Sequence, residues 1–196
     1  MSTELLLAWV IGYLLGSIPF GLVLTRLAGK GDVRAVGSGN IGATNVLRAG
    51  GKGLAAATLA LDALKATAAI LIAGSLWPGT ESFAAAGALI GHLYPIWLRF
   101  RGGKGVATLL GILIALLPIA ALIYALVWAG LLVTVRISSV AGIAAAISAP
   151  ISAAVLGVES LFPMLLGFAL LVVWKHRENL VRLKAGAEPR IGKPAS

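Results

Sequence analysis

The chain has 196 residues, of which 59% are hydrophobic and only 12% are charged, and its mean hydropathy is +0.99. These values exclude an ordinary soluble domain, in which about a quarter of the residues are charged, and a disordered chain, which needs low hydrophobicity. The absence of cysteine excludes disulfides, thiolate metal sites and thioester intermediates. We therefore expect a single integral membrane domain over residues 1–196.

Apolar segments fill most of the chain. In chain order, the hydropathy pattern predicts membrane-crossing helices near residues 5–25, 53–76, 83–98, 105–117, 119–134, 139–156 and 161–174. We expect the first to be a span and not a cleavable signal, because residues 1–3 carry no basic side chain and Glu4 is acidic. Alanine-rich runs at 55–57, 84–86 and 144–146 favour close packing between helices.

One uncharged stretch, residues 105–135, is long for one crossing and short for two. Its 31 residues would extend about 46 Å as a helix, against a hydrocarbon core of about 30 Å. If it crosses twice, turning near Leu117 and Pro118, every loop that bears Lys or Arg lies on one side of the membrane. If it crosses once, Arg136 and the basic tail move to the other side.

The net charge of +9 indicates cytoplasmic loops first and an anionic ligand second, and we expect no nucleic-acid partner. The cations outside the predicted spans are Arg26, Lys30, Arg34, Arg48, Lys52, Arg99, Arg101, Lys104, Arg136, Lys175, Arg177, Arg182, Lys184, Arg190 and Lys193. The positive-inside rule then favours two crossings in 105–135. The predicted fold is all-α, a polytopic bundle of seven transmembrane helices, some of them short, with the N-terminus outside and the C-terminus cytoplasmic.

The first polar cluster is the segment 37–48, which reads GSGNIGATNVLR. Its glycines allow sharp turns that expose backbone N–H groups. Neutral donors on Ser38, Asn40, Thr44 and Asn45, together with the cation of Arg48, would suit a phosphate. A plain solvated loop with an N-capping Ser or Thr is the alternative, and we give the two equal weight at this point.

The second polar cluster surrounds Lys104, which has two glycines before it and one after. It is not a nucleotide-binding P-loop, because no Ser or Thr follows the lysine and no strand is expected before it. We expect a helix to begin at Gly105, with its N–H groups and Lys104 directed at one anion. The alternative is a positive-inside anchor, which explains Arg99 and Arg101 well. His92, just before Pro95, is more often a packing residue than a catalyst.

Two further clusters follow. Ser138 and Ser139 come directly after Arg136 and, taken alone, indicate a helix cap. In the tail, the spacing of His176, Asn179 and Leu183 predicts one helix face that carries an imidazole and an amide. An amphipathic basic tail on anionic lipid is the alternative, although it requires neither His176 nor Asn179.

Asp62 and Lys65 lie inside a predicted span. A charge there costs about 2.5–3.5 kcal/mol on insertion scales, so we expect the two side chains to pair at their i, i+3 spacing. We give similar weight to two interpretations of Asp62 and Lys65: a purely structural ion pair, and side chains that line a polar cavity with a function. No pattern for a metal, a cofactor or a nucleophile elbow is present, and the His-x4-Asp device of many glycerolipid acyltransferases is missing.

Three motifs together resemble those of the acyl-phosphate-dependent glycerol-3-phosphate acyltransferases, a family of small bacterial integral membrane enzymes. They are the segment from Gly37 to Arg48, the segment 102–108 (GGKGVAT), and the segment from His176 through Asn179 to Glu188. The resemblance covers most of the chain in the right order. Ala187 replaces a frequent Thr and Arg190 a frequent Lys.

The resemblance implies a seven-helix bundle in the bacterial inner membrane with its motifs on the cytoplasmic side. It implies acyl transfer from acyl phosphate to the 1-hydroxyl of glycerol 3-phosphate, with membrane lipid as the surroundings. Residues 38, 104, 176 and 179 are the catalytic candidates, and the substrate-binding candidates are Ser38, Gly39, Asn40, Thr44, Asn45, Arg48, Gly103, Lys104, Ser139, His176, Asn179 and Glu188. Within these, Ser38, Gly39 and Thr44 resemble the acyl-phosphate cradle, and Arg48 and Lys104 resemble binders of the glycerol 3-phosphate group. Ser139, with Ser138 as a register alternative, His176 and Asn179 resemble positioners of the acceptor.

Because acyl phosphate is already activated, we expect direct transfer without an acyl-enzyme, with a substrate phosphate or His176 as the base. Two other classes remain open. A transporter of an organic phosphate would also collect broken helices and cations at one face, but it should carry polar groups on both faces. A structural membrane subunit would explain the alanine-rich spans but not the polar segment 37–48.

Overall fold

The computed structural model describes residues 3–192, and within that range the regular structure is entirely helical. Lys193, the last cation of the predicted basic tail, lies outside the described residues. The contacts between Cα atoms divide the chain into two compact units, one up to Leu116 and one from Leu117 onward.

The first unit contains six α-helices and two short 3₁₀ helices. The α-helices are α1 (Thr3–Gly16), α2 (Phe20–Leu27), α3 (Ala43–Gly50), α4 (Lys52–Leu76), α5 (Glu81–Leu93) and α6 (Val106–Leu116). The 3₁₀ helices lie at Val33–Ala35 and Ile96–Leu98.

The second unit contains four α-helices and one 3₁₀ helix. The α-helices are α7 (Pro118–Thr134), α8 (Ser138–Val155), α9 (Phe162–Lys175) and α10 (Arg177–Lys184). The 3₁₀ helix lies at Glu159–Leu161.

Two predicted spans are interrupted. The first breaks between α1 and α2, where Pro19 offers no N–H and the Ser17 hydroxyl donates to the carbonyl of Leu14 at 2.9 Å. The segment predicted as 83–98 ends as an α-helix at Leu93, and Pro95 precedes a 3₁₀ turn. The predicted helix break at Leu117 and Pro118 is confirmed, because α6 ends at residue 116 and α7 begins at 118.

Among residues 3–192, three helical segments are long and apolar enough to cross a membrane. They are the broken segment Thr3–Leu27, α4 and α8. The segment Glu159–Lys175 with α10 after it, bent by 56° at the break, would make a fourth. Helices α6 and α7 are apolar but shorter, with 11 and 17 residues. The all-helical membrane fold is therefore confirmed, and seven crossings stay a prediction.

Close contact between α1 and α5 organises the first unit. A Cβ atom on Gly12 or Gly16 would fall on the backbone of Ala84 or Ala88, and one on Gly87 would fall on the carbonyl of Trp9. Ala84 and Ala88 are fully buried, which confirms the expected packing role of the alanine run in α5. Helix α4 packs against both α1 and α5 and also contacts α3 and α6.

Helix α8 is central in the second unit, where it packs against α7 and α9. Its buried face carries Ala141, Ala145, Ala149 and Ala153, which recur every four residues and are fully buried. Small side chains at this spacing allow neighbouring helices to approach closely. The chain then bends at His176, which ends α9 and precedes α10.

Candidate functional site

The loop before α3 is shaped from within by Asn45. Its amide nitrogen lies 2.8, 2.9 and 2.8 Å from the carbonyl oxygens of Val33, Val36 and Asn40, so its two hydrogens are shared among three acceptors. Its Oδ1 accepts from the backbone N–H of Ser38 at 3.1 Å. The side chain is only 1% exposed. One buried amide therefore holds the whole loop, and its use as a direct substrate ligand stays a prediction.

Left-handed backbone at Gly37 and Gly39, with φ of 57° and 66°, turns this loop sharply. A Cβ atom on Gly37 would lie 3.2 Å from Cδ of Arg48, so the arginine lies beside the glycine turn. The Asn40 carboxamide accepts from the N–H of Gly42 at 2.9 Å, just before α3 begins.

A buried apolar cluster packs against the loop and α3. Its members are Leu22, Val33, Ile41, Val46 and Ala55. On the outer side Ser38, Gly39 and Arg48 are exposed, and Thr44 is half-buried. The loop thus presents a hydroxyl and a cation to solvent, two of the donors expected for a phosphate. The N–H groups of Ser38, Gly39 and Gly42 already donate to nearby carbonyl and amide oxygens.

A cavity of about 460 Å³ in the same unit is lined by Leu22, Arg26, Arg34, Trp97, Leu98, Arg99 and Arg101. Asp32 pairs with Arg34 at 2.6 Å and with Arg26 at 3.0 Å. The hydrogen bond from the Arg34 side chain holds the pKa of Asp32 well below its usual range, against an opposing effect of burial. The surplus of cations makes this cavity electropositive.

The glycine loop that carries Lys104 is tied to the end of α5. The N–H of Gly103 donates to the carbonyl of His92 at 3.0 Å, and the N–H of Gly102 donates to that of Leu93 at 3.2 Å. Gly105 has a φ of 89°, and its carbonyl accepts from Leu109 at 2.8 Å as α6 begins. The predicted helix start is confirmed to within one residue, because α6 begins at Val106, two residues after Lys104.

The predicted pairing of Asp62 with Lys65 is confirmed at 2.6 Å. The lysine also reaches the carbonyl of Ile18 at 2.8 Å and Nδ1 of His92 at 2.9 Å. Sequence spacing indicates the first contact but not the other two, because residues 18 and 92 come close to Lys65 only through the packing of helices.

In the second unit, the carboxylate of Glu188 accepts hydrogen bonds from three side chains that lie apart in the sequence. Ser139 donates to its Oε1 at 2.7 Å, the Asn179 amide donates to the same oxygen, and Arg182 Nε donates to Oε2 at 2.8 Å. Burial by itself would raise the pKa of Glu188, but these hydrogen bonds and the Arg182 charge outweigh it and hold the pKa below the usual value.

This cluster corrects the expectation for Ser138 and Ser139. No side chain caps the start of α8, where Ile137 occupies the capping position, and the Ser139 hydroxyl binds Glu188 instead. A distant carboxylate offers a charge-assisted bond that is stronger than a cap. The sequence gives no signal for this pairing across 49 residues.

His176 is buried at the bend between α9 and α10 and is 3% exposed. Its Nδ1 lies 2.7 Å from the carbonyl oxygen of Val172. Because a carbonyl can only accept, Nδ1 carries the proton, and the lone pair of a neutral ring lies on Nε2. His176 is the residue before α10 and not one within it, so the predicted common face with Asn179 begins at the helix boundary.

Comparison with known proteins identifies the family. The sequence model of the family described as glycerol-3-phosphate acyltransferase matches residues 6–186. A glycerol-3-phosphate acyltransferase of Mesorhizobium japonicum is 56% identical over 192 residues, which is 98% of each chain. One from Agrobacterium fabrum is 55% identical over 190 residues, with 96% of this chain and 92% of the relative covered.

Two solved structures share the fold. One is the integral membrane glycerol 3-phosphate acyltransferase PlsY in its glycerol 3-phosphate form, with a TM-score of 0.90, 42% identity and 96% of each chain covered. The other is PlsY in its lysophosphatidic acid form, with a TM-score of 0.88, 40% identity and 97% of each chain covered. The chain belongs to the glycerol-3-phosphate acyltransferase family of integral membrane enzymes.

Proposed function

We propose that the protein transfers a fatty acyl group from acyl phosphate to the 1-hydroxyl of glycerol 3-phosphate. The products are 1-acylglycerol 3-phosphate (lysophosphatidic acid) and phosphate, the entry to phospholipid synthesis. The observation that carries the proposal is the Asn45-pinned loop, which exposes Ser38 and Gly39 with Arg48 beside Gly37. Relatives of known structure that hold glycerol 3-phosphate and lysophosphatidic acid support the acceptor and the product.

Each candidate residue has a role in this proposal. Ser38, Gly39 and Thr44 cradle the phosphate of the donor. Arg48 and Lys104 neutralise the phosphate of the acceptor. Ser139, His176 and Asn179 position the acceptor, while Glu188 orients two of these side chains by accepting their hydrogen bonds. Asn40, Asn45 and Gly103 keep the two glycine loops in shape.

The reaction needs orientation and charge neutralisation more than covalent catalysis. The acceptor oxygen attacks the acyl carbon, the carbon–oxygen bond to phosphate breaks, and phosphate leaves with the electron pair. Two groups can take the hydroxyl proton. A phosphate oxygen with a second pKa near 6 suits neutral pH. His176 would serve through Nε2, because its Nδ1 lies against the carbonyl of Val172.

The proposed topology has seven crossings in the bacterial inner membrane, with the N-terminus outside and the C-terminus in the cytoplasm. The glycine loops and the basic tail then face the cytoplasm, and the acyl tail of the donor lies among apolar helices. The uneven distribution of Lys and Arg among the loops supports this orientation.

Purified protein tests the activity when it is supplied with acyl phosphate and labelled glycerol 3-phosphate. Formation of labelled lysophosphatidic acid separates an enzyme from a transporter and from a structural subunit. Acyl-CoA as the only donor is the control, and it should yield no product. When both substrates are varied, intersecting double-reciprocal lines are expected for direct transfer. Parallel lines, or a trapped acylated side chain, would contradict it.

A further inference from the structure

A cluster of three titratable side chains lies buried in the first unit. Asp62 and Lys65 belong to α4, His92 belongs to α5, and they are 2%, 5% and 4% exposed. Charged residues inside apolar spans are costly and usually serve a purpose beyond stability. A pair of Asp62 and Lys65 on one helix would already be neutral, so the link from Lys65 to His92 needs its own explanation.

The donors of Lys65 are fully used. Its ammonium group has three hydrogens and no lone pair, and three acceptors surround it: Asp62 Oδ1 at 2.6 Å, the carbonyl of Ile18 at 2.8 Å and His92 Nδ1 at 2.9 Å. With Lys65 charged, its ammonium group can only donate, so His92 Nδ1 is the acceptor in this arrangement. The inferred state of the imidazole is then neutral, with its proton on Nε2.

The Nε2 side of this ring faces the glycine loop. A Cβ atom added to Gly103 would come closest to Nε2 of His92, followed by Cε1, so only glycine fits there. The backbone N–H of Gly103 also donates to the His92 carbonyl. One histidine thus contacts the loop through both its ring and its main chain, one residue before Lys104.

We propose that Asp62, Lys65 and His92 form a positioning network that fixes the loop 102–105 and so sets the place of the Lys104 ammonium group. Lys65 orients the His92 ring through a hydrogen bond to Nδ1, and the Nε2 side of the ring packs against Gly103. Asp62 balances the charge that makes Lys65 a donor. The three side chains act through Lys104 and do not contact the substrate. The inference rests on the proposed binding of the acceptor phosphate by Lys104.

The first test is the double variant Asp62→Asn/Lys65→Met, which removes both charges and keeps the volumes similar. Replacing a buried ion pair by neutral groups usually leaves a protein folded, whereas removing one partner does not. We expect the KM for glycerol 3-phosphate to rise about tenfold, the lower range for lost supporting contacts, with a smaller change in kcat. Thr58→Ala is the matched control, because the buried Thr58 hydroxyl bonds only within α4. An unchanged KM in the double variant would overturn the proposal.

A second test asks whether the network acts through Lys104. In a Lys104→Ala background, the double variant should not lower kcat/KM for glycerol 3-phosphate further, because coupled residues are not additive. The same loss in both backgrounds would refute the proposal. If Lys104→Ala alone left kcat/KM unchanged, the proposed function of Lys104 would fail instead.

Nitrogen NMR of ¹⁵N-histidine-labelled protein reports on the network without reference to activity. Wild type should show His92 as the neutral Nε2–H tautomer, and the double variant should show a mixture of tautomers. The His92→Gln variant assigns the signal. A wild-type signal from the Nδ1–H tautomer would contradict the inferred hydrogen-bond direction, whatever the outcome of the kinetic tests.

Discussion

At the scale of the residue, composition reveals polar groups but not their partners. Asn45 and Asn179 are both predicted substrate ligands, and both are buried. The amide of Asn45 folds its own loop, and that of Asn179 binds Glu188. The sequence predicts the ion pair of Asp62 with Lys65, because i, i+3 spacing is a local rule. It gives no sign of His92 as the third partner, which depends on how α4 and α5 pack.

Glu188→Gln should destabilise the second unit by about 1–3 kcal/mol, because the Arg182 guanidinium loses its counter-ion and one carboxylate oxygen becomes a donor. Thermal unfolding in detergent measures this loss. The exposed Glu159 supplies the matched control, and Glu159→Gln should leave the unfolding temperature unchanged. Equal behaviour of the two variants would mean that the Glu188 cluster contributes nothing to stability.

The loss of stability at acidic pH should also depend on Glu188. Its pKa in the folded protein lies below that of the unfolded chain, which is about 4.3. Its contribution is therefore fully present above that unfolded pKa and is lost as the pH falls toward the folded pKa. Unfolding temperatures from pH 6 to pH 3 should fall less steeply in Glu188→Gln than in wild type. Asp32, whose pKa is also lowered, keeps some slope in both proteins, and identical slopes would argue against the contribution of Glu188.

At the scale of the element, hydropathy predicts the positions of the helices well. Helices α4, α6, α7, α8 and α9 begin and end within a few residues of their expected bounds. The breaks within the helices are harder to predict from the sequence. A proline or a polar residue in an apolar segment ends a helix only when neighbouring groups can form hydrogen bonds with the backbone N–H and C=O groups that the break leaves unpaired. The interruption at 17–19 and the short helix α3 were therefore not predicted. The glycines of α1 and α5 show why these helices pack so closely.

Gly87→Ala should destabilise the first unit by about 1–3 kcal/mol, because the new methyl group would collide with the backbone of α1 at Trp9 and Tyr13. Gly130→Ala in α7 is the control, since a Cβ atom there meets no other atom within 4 Å and alanine favours a helix. Thermal unfolding of the purified variants compares them. A Gly87→Ala protein as stable as the control would refute the close contact of α1 with α5.

At the scale of the whole molecule, charge distribution gives the strongest topological argument. The loops 77–80 and 157–160 carry no Lys or Arg, while every other predicted loop with a charge is basic overall. Length alone does not decide the number of crossings, because α6 and α7 are short. Seven crossings are predicted, because only then do all the loops that carry Lys or Arg lie on the same side of the membrane.

The absence of cysteine makes single-cysteine labelling a direct test of this topology. Both positions are exposed. If the proposed topology is correct, a membrane-impermeant maleimide should label Ser160→Cys in intact cells and Lys30→Cys only after the membrane is opened. The unsubstituted chain is the control for background labelling. Labelling of Lys30→Cys in intact cells would contradict the proposed orientation.

The most direct test of the proposed catalytic arrangement is the KM for glycerol 3-phosphate in Arg48→Ala and Lys104→Ala. A charge-assisted hydrogen bond contributes about 1.5–3 kcal/mol, so each variant should raise the KM by about tenfold or more. Lys30→Ala, which removes an exposed cation elsewhere in the first unit, should leave the KM unchanged. If Arg48→Ala and Lys104→Ala both kept the wild-type KM, these two cations would not bind the acceptor phosphate.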